Sequence, residues 1–143
     1  ALSIEQISRI NRRYLEKLIK PSGFYRQKAE RLIGLCQFIV KDFKTLEKFF
    51  KQTLKTCRNQ LLALKGVGPE TADSILLYAG HQPIFVIDEY TRRFVKKHHL
   101  SHNLSYAHLQ QLFQQNLPEN VKIYQDFHAL IVLDGKKNGR SMK

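Results

Sequence analysis

The chain has 143 residues and a mass of 16.8 kDa, enough for one domain or for two small halves that share a core. Its 24 Lys and Arg outnumber 12 Asp and Glu, and the net charge of +12 favours a polyanionic partner, because each neutralised phosphate releases counterions. The 43% hydrophobic content excludes a disordered tail. No apolar run approaches the roughly 20 residues of a membrane span, and the opening segment is amphipathic rather than a leader, so we expect no membrane partner.

Two cysteines, Cys36 and Cys57, are too few for a disulfide scaffold or for a four-thiolate metal cluster. Both fall on apolar helix faces. We therefore expect two buried, reduced thiols in a cytosolic protein.

Apolar residues recur at intervals of three and four along most of the chain, which is the spacing of one face of an α-helix. Proline and glycine divide this pattern into about eight helices, with Ser3, Asp88 and Ser105 as N-caps. In chain order the predicted elements are helices over 4–18, 29–43, 46–50, 54–64, 69–79, 88–97, 106–117 and 119–134, an extended segment over 81–86, and a frayed basic tail over 135–143. The pattern predicts an all-α architecture with mostly short connections.

Residues 61–98 contain a helix, a tight glycine turn, a second helix, an extended linker and a helix capped by Asp88. Gly66 and Gly68 flank Val67, so we expect positive φ angles in the turn and close approach of its backbone to another surface. Pro69 opens the following helix, whose free N–H groups and positive dipole end suit a phosphate. On a basic chain, this arrangement favours binding to nucleic acid.

This stretch resembles the signature of the helix-hairpin-helix DNA glycosylase superfamily, which includes endonuclease III and 3-methyladenine glycosylases. The signature L-x-G-[VI]-G-x-x-T-A is matched by Leu64, Gly66, Val67, Gly68, Thr71 and Ala72. The family's extended stretch ending in an aspartate is matched by PIFVID, which ends at Asp88, and the family's arginine five residues later is matched by Arg93. Residues 21–32 resemble the segment G-[FLY]-x-x-x-K-A, and residues 127–137 resemble H-x-x-[LI]-[IV]-x-x-G-[KR]. The resemblance covers nearly the whole chain.

The resemblance implies an all-α, helix-hairpin-helix DNA glycosylase-like fold. We expect residues 1–82 to form a partial helical barrel that contains the hairpin over 54–79, and residues 83–143 to form a second helical layer that carries Asp88. The family has further helices before the segment that opens this chain, so we expect a fragment or a shortened relative that lacks these N-terminal helices. The apolar surface left uncovered would favour self-association.

Two departures from the family pattern narrow the expected chemistry. Endonuclease III-type lyases have a Schiff-base lysine two residues after the second hairpin glycine, whereas Glu70 stands there, so the attacking amine is missing. This glutamate and the segment KPSGFYRQKA resemble the MagIII branch of the 3-methyladenine glycosylases. The family's iron–sulfur loop would begin at Gly139 with no cysteine nearby, so we expect no cluster and no other cofactor. No side chain is expected to hold a metal, and a monovalent cation on the hairpin carbonyls, which family hairpins often hold, stays open.

The implied function is base excision repair by a monofunctional DNA glycosylase that hydrolyses the N-glycosidic bond of alkylated purines. The resemblance implies that Asp88 is the catalytic residue. As an N-cap its carboxylate should stay ionised and would stabilise the positive charge that builds on the deoxyribose. A purine such as 3-methyladenine is already cationic, so no separate general acid is required. The resemblance implies DNA contacts from Lys65, Gly66, Val67, Gly68, Thr71 and Arg93. The implied partner is double-stranded DNA, in the cytoplasm and associated with the nucleoid.

Alternative interpretations stay open. A non-catalytic helix-hairpin-helix DNA-binding module, or an inactive fragment of an endonuclease III-like protein, would carry the same hairpin. A glycosylase for mismatched or oxidised bases would differ only in its pocket. By spacing alone Asp88 is an ordinary helix cap, and His128 is interpreted as a half-buried histidine whose hydrogen bonds are satisfied. His98, His99 and His102 match no closed metal pattern.

Overall fold

The computed structural model describes residues 2–141, and the side chains of residues 2–137. The chain divides into two compact units, Ala1–Val67 and Gly68–Lys143. This division falls inside the glycine turn, because the helical segment after the turn packs on the last helix of the chain. The sequence-based boundary lies further along, at 82/83, and its division into a partial barrel and a second helical layer stays a prediction.

All regular elements in the described part of the chain are helical, which confirms the predicted all-α fold class. The α-helices are α1 Ile4–Ser8, α2 Arg12–Ile19, α3 Tyr25–Phe43, α4 Leu46–Phe50, α5 Leu54–Leu62, α6 Pro69–Ser74, α7 Glu89–Lys97, α8 Tyr106–Asn116 and α9 Val121–Ser141. A 3₁₀ turn, Lys20–Ser22, precedes α3, and a π-helical turn, Ile75–Ala79, continues α6.

The first unit is organised around α3, against which both α1 and α2 pack. Lys28 Nζ donates a hydrogen bond to the Ser22 carbonyl oxygen at 2.8 Å, and the neighbouring Ala29 is fully buried. The K-A pair of the family resemblance therefore has a structural role here, since one residue ties the 3₁₀ turn to α3 and the other allows close packing.

The predicted single helix over 4–18 is wrong, because the structure has two helices there. Asn11 interrupts the helix: its side-chain oxygen accepts a hydrogen bond from the Tyr14 amide at 3.1 Å, so a second helix begins at Arg12. Asparagine is among the best N-cap residues, and its capping bond competes with helix continuation. Tyr14 and Leu18 of this second helix are exposed, and self-association through such a surface stays a prediction.

Both cysteines are free and buried, as the sequence predicts. Burial raises the pKa of the Cys36 thiol and of the Cys57 thiol, which disfavours the reactive thiolate. Cys57 Sγ also donates to the Phe49 carbonyl oxygen at 3.2 Å. Both residues therefore act as packed core residues of the first unit.

In the second unit, an extended and buried segment over 84–87 leads to Asp88. Three of its backbone groups are paired by polar side chains of α8. The Phe85 amide donates to Gln114 Oε1 at 2.9 Å, and the Phe85 carbonyl accepts from Gln110 Nε2 at 2.8 Å. Tyr106 completes this set, which recurs every four residues on one face of α8, and its hydroxyl accepts from the Ile87 amide at 3.4 Å. The helix predicted over 106–117 carried no indication of this role for Tyr106.

The last helix begins and ends later than predicted. Asn120 caps its start by accepting from the Ile123 amide at 2.9 Å, so α9 begins at Val121 rather than at 119. The predicted frayed tail is wrong over 135–141, where α9 continues, and residues 142–143 lie outside the described residues. Gly135 lies inside α9 rather than at its end, and its missing side chain makes room for the Tyr90 ring of α7, which a Cβ there would overlap.

The polar face of α8 predicts a measurable contribution to stability. Gln110 Nε2 donates both to the Phe85 carbonyl and to Asp73 Oδ2, at 2.8 and 2.9 Å, and Asp73 is fully buried. Gln110→Leu removes both hydrogen bonds, so we expect the free energy of unfolding in urea to fall by about 1–3 kcal/mol. Gln111→Leu makes the same change at an exposed position of α8 and should leave stability within about 0.5 kcal/mol. Equal losses in both variants would contradict the pairing.

Candidate functional site

Asp88 ends the extended segment and is the N-cap of α7, which confirms the predicted cap. Its Oδ1 accepts hydrogen bonds from the Thr91 amide at 2.8 Å and from the Thr91 hydroxyl at 2.9 Å. The Asp88 amide donates in return to Thr91 Oγ1 at 3.3 Å, which completes a capping box. The carboxylate is therefore held by one oxygen against the first turn of α7.

The other carboxylate oxygen of Asp88 faces His128 of α9. His128 Nε2 lies 2.9 Å from Asp88 Oδ2, and the two side chains are 11% and 14% exposed. The hydrogen bonds of His128 are satisfied as expected, but the residue is buried rather than half-buried, and its partner is the candidate catalytic residue. This pairing is the main feature of the site that sequence analysis did not foresee.

Tyr78 binds the second ring nitrogen of His128. Its hydroxyl oxygen lies 2.6 Å from Nδ1, which completes a hydrogen-bonded chain that we call the Tyr78–His128–Asp88 chain. Tyr78 reaches α9 from the π-helical turn, in which the Gly80 amide donates to the Ile75 carbonyl at 3.0 Å. The Leu77 carbonyl of this turn accepts from Gln125 Nε2 of α9 at 2.9 Å. The wider turn and this bond together present Tyr78 to His128.

The hydrogen bonds around Asp88 outweigh its burial. Burial alone would raise the pKa of the Asp88 carboxyl group, but the bonds from His128 and from Thr91 lower the pKa below its ordinary value. Burial and the nearby charges of Asp88 and Asp126 raise the pKa of Tyr78. At neutral pH the site therefore holds a carboxylate and an intact phenol.

Glu70 belongs to the same unit, and the negative charge of Asp88 affects its pKa. Partial burial, followed by the negative charge of Asp88, raises the pKa of Glu70, and the positive charge of Arg92 opposes this shift. The two carboxyl groups thus have opposite environments, because one accepts three hydrogen bonds while the other is destabilised as an anion.

The glycine turn matches its predicted geometry at one position only. Gly66 has a φ of +79°, and a Cβ there would also overlap the Arg31 side chain. Gly68 has φ −96° and ψ −177°, an extended conformation open to any residue, and nothing lies near its Cβ position. The expectation of positive φ throughout the turn is therefore wrong for Gly68, which is the N-cap of α6.

Not every predicted backbone contact of the turn is available. The Val67 amide donates to the Leu64 carbonyl at 3.2 Å and its side chain is buried, so Val67 anchors the turn rather than offering a donor. In α6 the first backbone bond runs from the Ala72 amide to Gly68, and no side chain caps the helix. The amides of Glu70 and Thr71 in its first turn are therefore open to an outside acceptor.

The other predicted contact residues lie at the surface. Lys65 and Thr71 are exposed, in the turn and in α6 respectively. Arg93 lies on α7, where its Nε is 3.6 Å from Glu89 Oε1 and its guanidinium group lies over the Tyr90 ring. Their roles toward DNA stay predictions.

Within the described residues, no group of three or more histidine, cysteine, aspartate or glutamate side chains is arranged to hold a metal ion. The cation considered for the hairpin stays a prediction; the Leu64 carbonyl of the turn already accepts one hydrogen bond and has a second lone pair. None of the described helices combines the length and the apolar character needed to cross a bilayer.

The sequence of the chain matches a known protein family and several of its members. Residues 1–119 match the family model of the HhH-GPD superfamily base excision DNA repair proteins. A protein of Methanocaldococcus jannaschii, named as a candidate DNA repair glycosylase, is 43% identical over 126 residues, covering 86% of this chain and 57% of its own length. Endonuclease III of Rickettsia prowazekii is 28% identical over 123 residues, covering 85% of this chain and 53% of its own length. The chain thus spans little more than half the length of these relatives.

A solved structure agrees with the sequence matches. The Helicobacter pylori 3-methyladenine DNA glycosylase MagIII, bound to 1,N6-ethenoadenine, superposes with a TM-score of 0.84 at 35% identity, over 94% of this chain and 67% of that one. The chain belongs to the HhH-GPD superfamily of base excision DNA repair proteins, and the predicted similarity to MagIII is confirmed.

The two hairpin glycines predict opposite responses to one substitution. Gly66→Ser forces a non-glycine residue into positive φ, so we expect the free energy of unfolding to fall by about 1–2 kcal/mol. Gly68→Ser places a favoured N-cap residue in an unstrained conformation and should leave stability unchanged or slightly raised. Urea denaturation of both variants tests this. Equal destabilisation by the two substitutions would show that the turn is not strained at Gly66 alone.

Proposed function

We propose that this chain carries the catalytic site of a monofunctional DNA glycosylase that removes alkylated purines from double-stranded DNA. Membership of the base excision repair superfamily supports the reaction class, and the similarity to MagIII supports the substrate class. The observation that carries the proposal is the state of the Asp88 carboxylate. Its lowered pKa keeps it ionised although it is largely buried, and 14% of the side chain is still exposed.

Asp88 acts on the charge that develops during cleavage. As the bond between the base nitrogen and the sugar carbon C1′ breaks, its electron pair leaves with the base and C1′ becomes cationic. A fixed, partly desolvated carboxylate stabilises that cation more strongly than water does, because it needs no reorganisation. Water then adds to C1′ and loses a proton to Asp88 or to solvent, which leaves the free base and an abasic site in the DNA.

An alkylated purine suits a site of this kind. A base such as 3-methyladenine carries a positive charge in DNA and leaves as a neutral molecule, so the reaction needs no general acid. The base must first be extruded from the duplex, and an alkylated base is held less firmly there than an intact one. The raised pKa of Glu70 disfavours its anionic form and so argues against a nucleophilic role for that residue. The amine of a lyase is also missing at its position.

DNA would be held mainly by its phosphates. We assign this role to Lys65 at the turn and to the open amides of Glu70 and Thr71, with Arg93 as a further cation on α7. Such contacts fix the position of a duplex without reading its sequence. The net charge of +12 supports the same partner.

Asp88→Asn removes the negative charge of the carboxylate but keeps the N-cap, so it separates the two roles of the residue. Asparagine is as good an N-cap as aspartate, so α7 should stay intact. Loss of the negative charge should lower the release of radiolabelled methylated bases from duplex DNA by about 100- to 1,000-fold. DNA affinity should stay equal or rise slightly, because a negative charge near the phosphates is removed.

Glu89→Gln is the matched control, since it removes an exposed carboxylate one residue away that pairs with Arg93. It should leave base release unchanged. Borohydride should trap no covalent adduct with DNA, because position 70 offers no amine. If wild type and Asp88→Asn release base equally, Asp88 is only a helix cap; binding without any release would favour a non-catalytic DNA-binding module.

Lys65→Gln tests the phosphate contact. Removing one phosphate partner should weaken binding to all duplex sequences alike and lower the slope of log affinity against log salt by about 1. Lys41→Gln, at an exposed position on α3, serves as the control for the loss of one positive charge. Identical salt slopes for the two variants would argue against a specific contact at Lys65.

A further inference from the structure

His128 engages the one oxygen of Asp88 that the helix cap leaves free. Asp88 Oδ1 accepts two hydrogen bonds from Thr91, so both of its lone pairs are used. Oδ2 accepts one hydrogen bond, from His128 Nε2 at 2.9 Å. Among the described residues, one acceptor position of the carboxylate is therefore left, and its direction depends on His128.

The geometry also places one hydrogen on the His128 ring. A carboxylate only accepts hydrogen bonds, so Nε2 must carry a hydrogen and donate it to Oδ2. The Tyr78 hydroxyl group, which can donate or accept, lies 2.6 Å from Nδ1 and pairs with that nitrogen. The tyrosine and the carboxylate thus hold the ring from its two ends.

The surroundings of the Tyr78–His128–Asp88 chain favour a role beyond packing. Tyr78 and His128 line an open hollow of about 320 Å³ together with Ala129, Val132, Leu133 and Lys136. Tyr78 is 42% exposed, so its hydroxyl is not needed to satisfy a sealed core.

We propose that His128 is a positioning residue for Asp88, and that Tyr78 aligns its ring. Nε2–H fixes the orientation of Oδ2 so that its remaining lone pair faces the substrate sugar or the attacking water. This inference rests on the proposed glycosylase function. His128 itself touches no reacting atom, and its effect is transmitted through the carboxylate.

The test measures single-turnover base release from methylated duplex DNA. His128→Phe removes the donor, so we expect release to slow by about 10- to 100-fold, while DNA affinity changes by less than about twofold. His128→Gln carries an amide N–H close to the position of Nε2 and should recover most of this loss. Tyr78→Phe should slow release by a smaller factor, because the ring keeps Asp88 as a partner but loses its alignment.

Two control variants make the same chemical changes elsewhere in this unit. His108→Gln alters an exposed histidine of α8, and Tyr124→Phe removes the hydroxyl group of a buried tyrosine of α9. Both should release base at the wild-type rate. Nitrogen NMR of the wild-type imidazoles supplies an independent readout and should show a hydrogen on Nε2 of His128.

The outcomes separate this inference from the proposed function. If wild type is active and Asp88→Asn is inactive, a wild-type rate in His128→Phe overturns the positioning role and leaves the proposed function standing. A hydrogen on Nδ1 rather than on Nε2 of neutral His128 overturns the inference whatever the rates are. A wild type that binds DNA but releases no base overturns both proposals.

Discussion

The second unit depends on one carboxylate that serves the fold and the proposed chemistry at the same time. Asp88 caps α7 through Oδ1 and meets α9 through Oδ2, so its position is fixed by two helices rather than by one. A cap contributes about 1 kcal/mol of stability, which is modest. The electrostatic effect of the site is larger, because the hydrogen bond from His128 and the cap bonds from Thr91 together keep the carboxylate ionised against its own burial.

The extended segment over 84–87 holds Asp88 on its N-terminal side. This segment is itself held by side chains of a helix rather than by a neighbouring strand. A buried extended segment usually finds its backbone partners in a sheet, and an all-α unit has none to offer. Here Tyr106, Gln110 and Gln114 supply the hydrogen bonds from one face of α8. The same face donates to the buried Asp73, so the backbone before Asp88 and the carboxylate in α6 share their partners.

Sequence analysis succeeded where the signal is local. The cap at Asp88, the helix opened by Pro69 and the buried cysteines each follow from a residue type and its immediate neighbours. The division of the first predicted helix at Asn11 is equally local, because asparagine is a favoured N-cap residue, and it could have been predicted from the sequence. His128 and Tyr78 could not be placed on Asp88 in this way, because they lie 40 and 50 residues apart from their partners and depend on tertiary packing. The histidine in the resemblance H-x-x-[LI]-[IV] was the available signal.

The π-helical turn explains why Tyr78 in particular escaped prediction. The apolar spacing of Ala72, Ile75, Leu76 and Ala79 is that of a regular helix, and an extra residue in one turn leaves no mark in such a pattern. The structure shows its consequence: the Gly80 amide reaches back to Ile75, and the Leu77 carbonyl is taken by Gln125 of α9 instead of by its own helix. A turn of this kind has a weaker internal bonding pattern than an α-helix, and it persists only where neighbouring groups compensate. The compensation comes from α9, the helix that also carries His128, so the departure from regular helix and the alignment of the candidate site have a common structural origin.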